Sequence, residues 1–454
     1  MGISLILLCL RCYICFPDHH KMKKVIFLLF LVSSTVSAIA QTEPANYATV
    51  VNKFKQFYNG NQPDSLYKMF GPEMKAAMTQ AQCKTMVTQF RSQLGTLQKT
   101  VFTSYTESVP VAIYDATFQN GPIALSISLN KQDQMAGLYF RPAAAAKAPA
   151  AAPAEVDASV TESPVSIKAL AGSVHGTLMM PKNAQGKIPV VLIIAGSGPT
   201  DRNGNSPKLG LNGNTYKLLA EGLGKNGIAS VRYDKRMIGE SVQPGAKEAD
   251  LRFDDYVDDA VSMINMLSED PRFSKIIVLG HSEGSLVGML AVHDEPVKGY
   301  ISVSGAGDQA DKIVTQQLKS QPQFIQDGFK KMLDSLKKGK TTDNIDPALY
   351  FIARPSIQKY LASWFRYEPQ KVIKTVKIPT LIIQGTTDLQ VTVSDAGKLK
   401  KAKSDATLDI IPGMNHVLKE APEDRDKNLA TYNDPNLPLK PQLVTDIVGF
   451  VNKL

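Results

Sequence analysis

The chain has 454 residues, 43% hydrophobic and 20% charged, with a formal charge of +9. These are globular proportions on a chain too long for one ordinary domain, so they exclude a disordered or fibrous protein and predict two folded units plus tails. Residues 1–40 hold Arg11, Lys21, Lys23 and Lys24 against Asp18; without them 47 basic and 41 acidic residues leave +6. That mild excess is spread along the chain with no arginine-rich block, so no nucleic-acid partner is expected.

Residues 22–40 read as a secretory signal. Met22-Lys23-Lys24 is its charged start, Val25 to Val32 its apolar core, and Ala38-Ile39-Ala40 a small-residue cleavage pattern. The apolar core is too short for a comfortable span, so the mature chain is expected without a stable membrane span. A periplasmic or secreted protein, cleaved after Ala40, is the expectation. Residues 1–21 sit oddly before such a signal, and translation can start at Met1 or at Met22. Cys9, Cys12 and Cys15 fall in this leader. Cys83 is the one cysteine after it, so no internal disulfide is expected.

Residues 43–141 predict a small α+β domain. Val50, Val51, Phe54, Phe57 and Tyr58 recur at helical spacing, as do Met86, Val87, Phe90 and Leu94. Strands follow at Val101 to Tyr105, Val111 to Phe118, Ile123 to Leu129 and Met135 to Phe140. Residues 142–159 hold an Ala/Pro tract that cannot bury a core and reads as a linker.

Residues 160–454 alternate strand-like runs with helical patterns, which predicts a mostly parallel sheet with helices on both faces. Val190 to Ile194 is fully apolar and reads as a buried central strand. Residues 308–375 interrupt the alternation with helical segments rich in aromatics. Their two readings are ordinary helix packing and a cap that shapes the substrate pocket.

The chemistry begins at Gly280-His281-Ser282-Glu283-Gly284. An apolar strand, Ile276 to Leu279, precedes it and a helical pattern follows. That context turns Gly-x-Ser-x-Gly into a nucleophile elbow, with Ser282 at the tip of a tight turn. The glycines at 280 and 284 remove side chains that would meet neighbouring backbone. Of the four histidines after the signal (His175, His281, His293, His416), only His416 follows the elbow in a loop after a strand. Asp388, in the loop after Leu381 to Ile383, is the candidate acid, with Asp395 on the next helix as the alternative. Ser282, Asp388 and His416 give nucleophile, orienting acid and base in the chain order this architecture uses. The Glu283 and Ser197 backbone N–H groups are candidate oxyanion donors. Ser197 lies in the glycine-rich loop Ala195-Gly196-Ser197-Gly198-Pro199. No Gly-Lys-Ser/Thr and no metal-ligand spacing occurs after the signal, so no cofactor and no metal are expected. An Asp201–Arg202 ion pair ordering the glycine-rich loop is a further possibility.

The second unit resembles an α/β-hydrolase, and more closely a group of secreted bacterial carboxylesterases with a small α+β domain in front. The residues that carry the resemblance are Gly196 to Gly204, Arg232-Tyr233-Asp234-Lys235-Arg236, Gly280 to Gly284, Asp388-Leu389-Gln390-Val391 and Asn415-His416. The front domain is similar too, as a cone of sheet wrapped on helices. Met237 departs from the group, which usually has glycine there. The resemblance implies a serine carboxylesterase acting on small-molecule, short-chain esters. The same triad would also serve a peptidase or an acyltransferase. An envelope-binding protein in which hydrolysis is secondary is a further alternative. Neither the natural ester nor the oligomeric state is legible.

Overall fold

The computed structural model describes residues 42–454 except 107–109, 120, 143–156, 170–171, 207–210, 244–245, 321–322, 344 and 346–348. The signal at 22–40, the three leader cysteines and most of the Ala/Pro tract lie outside the described residues.

In the first region, helix α1 spans Ala45–Asn59. It buries Tyr47, Val50, Val51, Phe54 and Tyr58, the helically spaced face that the sequence marks. Helix α2 spans Gln80–Leu94 and opens on a capping box in which Thr79 and Gln82 each accept the other's backbone N–H. Two six-residue helices, Pro63–Lys68 and Pro72–Ala77, lie between them. Each begins with proline, and each is too short to show a period. Strands β1 (Leu97–Thr106), β2 (Val111–Phe118), β3 (Gly121–Leu129) and β4 (Met135–Pro142) form an antiparallel meander in that order. Ala112, Tyr114, Ala116 and Phe118 alternate inward along β2 and share a core with the α1 residues. Cys83 is a buried free thiol.

The second region is built on an eight-stranded sheet. Its strands are β5 (Val160–Ala169), β6 (Gly172–Pro181), β7 (Ile188–Ile194), β8 (Ala229–Tyr233), β9 (Phe273–His281), β10 (Val297–Val303), β11 (Thr380–Gly385) and β12 (Thr407–Ile411). The spatial order is β12-β11-β10-β9-β7-β8-β6-β5. From β12 to β8 every neighbouring pair is parallel, and β5 and β6 add an antiparallel hairpin.

Burial on both faces explains the unbroken apolar runs. Along β7, Val190, Leu192 and Ile194 face helices α4 (Phe253–Ser268) and α5 (Glu283–Ala291). Val191 and Ile193 face the opposite way, against α3 (Thr215–Lys225) and the last helix (Pro441–Lys453). The chain leaves β7 to one side for β8, then returns on the other side for β9. Loops after β7 and β9 therefore diverge at the sheet's carboxyl edge, where open α/β sheets form their binding crevice.

The segment between β10 and β11 is helical, as expected. Ile325, Phe329, Met332 and Leu336 form its buried stripe on the helix Gln323–Lys337. Helix α6 (Gln358–Phe365) brings Trp364 flat against Phe253 of α4, with centroids 6.0 Å apart and planes 4° apart. Tyr360 and Tyr367 pack on the same ring. These aromatics are core packing between the insert and α4. The Phe351 side chain lies outside the described residues. Among the described residues, no helix is long and apolar enough to cross a membrane.

Candidate active site

Strand β9 ends at His281 and α5 starts at Glu283, so Ser282 alone makes the turn. Its backbone is forced to φ 55°, ψ −119°. Such a conformation costs a non-glycine residue about 1–3 kcal/mol and persists only where its surroundings impose it. They do so here. The Ser282 N–H donates to the Val303 carbonyl at 2.9 Å. A Cβ at position 280 would lie 2.1 Å from the Gly284 carbonyl oxygen, and one at 284 would lie 2.3 Å from the Ile194 oxygen. The glycines are there for close backbone approach, as the sequence implies. Glu283 is the first residue of α5, so its N–H has no partner within the helix.

Asp388 lies in the loop after β11, and His416 in the loop after β12. The His416 Nδ1 is 2.9 Å from Asp388 Oδ2 and 3.1 Å from Oδ1, with both side chains buried. Asp388 Oδ1 also accepts from the backbone N–H groups of Gln390 (2.8 Å) and Val391 (3.0 Å), and Oδ2 from Gln384 Nε2 (3.1 Å). Burial pushes the Asp388 carboxyl up. The neighbouring imidazole and the two backbone donors outweigh it and hold the carboxyl down at about 2. Asp395, the alternative acid, instead caps the next helix by accepting from Thr392. Asn428 ties the two loops together: Nδ2 donates to the Thr387 carbonyl (2.8 Å), and Oδ1 accepts from Asn415 (3.2 Å).

Ser282, His416, Ser197 and Gly196 line one cleft of about 150 Å³, together with Tyr216 and Tyr432. Among the described residues the insert contributes nothing to its lining, so the packing reading of the insert's aromatics holds for this cleft.

His281 does not serve the serine, as expected from its place in the elbow. It links the site's loops instead. The Gly196 N–H donates to the Tyr216 hydroxyl (2.9 Å), which sits 2.8 Å from His281 Nδ1. His281 Nε2 is 2.8 Å from the His416 carbonyl oxygen. A carbonyl only accepts, so Nε2 carries the proton and Nδ1 takes the tyrosine's hydrogen. One neutral imidazole thus connects the glycine-rich loop to the backbone of His416.

Burial, then the proximity of His416, pushes His281 down to about 3. An unfolded histidine titrates near 6.5. As pH falls below 6.5, the unfolded chain gains a proton that the folded chain refuses, so stability drops until the pH reaches the folded value. His281→Gln is expected to flatten the fall in unfolding free energy between pH 6.5 and 4.5 by about 2–3 kcal/mol. Urea melts at both pH values check this, and identical slopes for the two proteins would contradict it.

One neighbouring detail differs from the sequence reading. Asp201 and Arg202 do not pair with each other. Asp201 accepts from the backbone N–H groups of Asn203 (2.8 Å) and Asn205 (2.9 Å), closing its own turn. Arg202 reaches across the fold to Asp234 and Glu240, each at 2.7 Å. The Asp201 carboxylate is taken up by its own turn and Arg202 meets the buried Asp234 instead, so the local pair loses to the distant one. Met237 adopts φ 67°, the left-handed conformation that glycine favours.

A mostly parallel sheet helix-covered on both faces, with a strained serine at the turn between β9 and α5, is the α/β-hydrolase fold. Residues 209–364 match a family described as serine aminopeptidase, S33. Residues 51–138 match one described as protein of unknown function (DUF3887). The chain is 25% identical over 372 residues to Esterase EstD of Thermotoga maritima, covering 80% of this chain and 86% of that protein. Similar solved structures include Est1E from Butyrivibrio proteoclasticus (18% identity, TM-score 0.41, 64% of this chain and 99% of that one). Another is a thermophilic esterase from Thermogutta terrifontis (16% identity, TM-score 0.39, 64% and 98%).

Proposed function

We propose that the protein is a serine carboxylesterase that hydrolyses short-chain esters through an acyl-enzyme. The observation that carries this reading is the buried Asp388–His416 pair opening onto the same cleft as the strained Ser282. In the mechanism, Ser282 Oγ attacks the ester carbonyl as His416 Nε2 takes its proton. The Glu283 and Ser197 N–H groups receive the oxyanion. His416 then protonates the leaving alcohol and activates a water that clears the acyl group. Asp388, ionised at any physiological pH, keeps the His416 Nδ1 proton in place.

A cleft of about 150 Å³ is small beside the 300 Å³ or more of typical ligand pockets and suits a short acyl chain. The esterase relative spans both regions of this chain and supports ester chemistry. The serine-aminopeptidase match favours a second reading, cleavage of a short peptide by the same triad. We also read residues 43–141 as a separate domain joined by the linker 142–159, in a protein exported after cleavage at Ala40.

Labelling with a serine-reactive fluorophosphonate, beside nitrophenyl esters of increasing acyl length and aminoacyl nitroanilides, tests the assignment. Ser282→Ala is expected to lose labelling and about 10⁵-fold or more in kcat/KM. Equal labelling of both proteins would overturn Ser282 as nucleophile. Turnover of anilides without esters would move the reading to peptides.

A further inference from the structure

Lys235 follows β8 and is buried, with 3% of its side chain exposed. Its ammonium donates to the Gly196 carbonyl at 2.5 Å and lies 3.6 Å from Glu283 Oε1. It also sits 5.0 Å from the centre of the Tyr256 ring. The other Glu283 oxygen accepts from the Tyr360 hydroxyl at 2.5 Å. A buried cation, carboxylate and phenol thus meet directly behind the glycine-rich loop. Burying such a pair costs several kcal/mol per ion, and well-packed apolar residues serve stability as well or better. The arrangement therefore calls for a reason other than stability.

The target of the ammonium supplies that reason. The Gly196 carbonyl and the Ser197 N–H are opposite ends of one planar trans peptide, so they point in opposite directions. A cation on the oxygen fixes the plane, aims the N–H the other way and polarises it as a donor. On the near side, the Gly196 N–H is already held by the Tyr216 hydroxyl. Glu283, which holds Lys235, is also the residue whose own N–H is the second oxyanion donor.

Building on the esterase reading, we propose that Lys235 is a positioning residue. It orients and strengthens the Ser197 N–H for the oxyanion, and Tyr360 of the helical insert holds it in place through Glu283. The insert thereby acts on catalysis without lining the cleft.

The test compares kcat and KM on a nitrophenyl ester, and the rate of fluorophosphonate labelling, in wild type, Lys235→Met and the charge-free double variant Lys235→Met/Glu283→Gln. Thermal melts establish that each is folded. Loss of one oxyanion donor costs about 10²–10³ in kcat. A donor left in place but misaimed is expected to cost about 10- to 100-fold, with KM within about twofold and labelling slowed in parallel. Lys235→Arg is expected to recover part of that loss, and Tyr360→Phe to show a smaller fall in kcat. The double variant keeps the deficit if the carbonyl contact is what matters. A folded Lys235→Met with wild-type kcat, a deficit confined to KM, or failure of both the single and the double variant to fold would each overturn the proposal. Wild-type protein that neither turns over an ester nor labels would instead overturn the esterase reading, and this inference would fall with it.

Discussion

Asp388→Asn is expected to lower kcat by about 10³–10⁴ with little change in KM, close to the loss seen for this change in other Ser-His-Asp triads. The argument rests on which atoms donate. Oδ1 of Asp388 receives two backbone N–H groups, and Oδ2 receives Gln384 Nε2 and His416 Nδ1. An asparagine has one acceptor oxygen. Facing it toward the two backbone donors leaves its NH₂ against His416, which must then accept at Nδ1 and carry its proton on Nε2. A protonated Nε2 cannot take the serine's proton. Size and position are nearly conserved, so binding survives while chemistry stops. Steady-state kinetics on the best nitrophenyl ester measure it, and an intact kcat would remove Asp388 from the triad.

Gly280→Ala is expected to cost about 4 kcal/mol or more, or to prevent folding outright. The added methyl would stand 2.1 Å from the Gly284 oxygen, 2.5 Å from its carbonyl carbon and 2.6 Å from Ser285 Cα. All three atoms are backbone, so no side chain can rotate away. Either the elbow opens, which displaces Ser282, or the strand shifts against its neighbours. Gly397→Ala is the matched control. That glycine is exposed on the helix Val393–Ala402, with nothing within 4 Å of an added Cβ. It is expected to stabilise by about 0.5–1 kcal/mol, because alanine favours a helix interior. Thermal melts of the two variants should move in opposite directions.

Local signals made the main elements readable in sequence. The unbroken apolar run at Val190 to Ile194 marked a strand buried on both faces, and Gly-x-Ser-x-Gly after another strand marked the turn. Chain order then singled out Asp388 and His416, which the fold brings into contact. Residues that support the site from a distance left no such mark. Lys235, Tyr216, Tyr360 and Asn428 act through partners between 13 and 77 positions away. Lys235 stood in a stretch that carries the resemblance but with no role attached, and the other three look like ordinary loop or helix residues until the sheet order is known. The supposed Asp201–Arg202 pair erred for the same reason, since sequence adjacency says little about which charges meet. The aromatic insert was ambiguous because core packing and a pocket wall use the same residue types, and Phe253 decides for packing at Trp364.

The insert at 308–375 also has an evolutionary consequence. Lengthening a connection between two fixed strand ends costs only about 0.6 kcal/mol for each doubling. Helices with a core of their own, as at Phe329, Met332 and Leu336, offset that cost internally. Such a segment is free to grow, shrink or be exchanged between relatives while the sheet beneath stays unchanged. Among the contacts that restrain the drift, two touch the site's own support: a ring to cover Phe253 and one hydroxyl presented to Glu283. Variation among relatives should therefore concentrate in this insert, with those two contacts recurring on otherwise dissimilar helices.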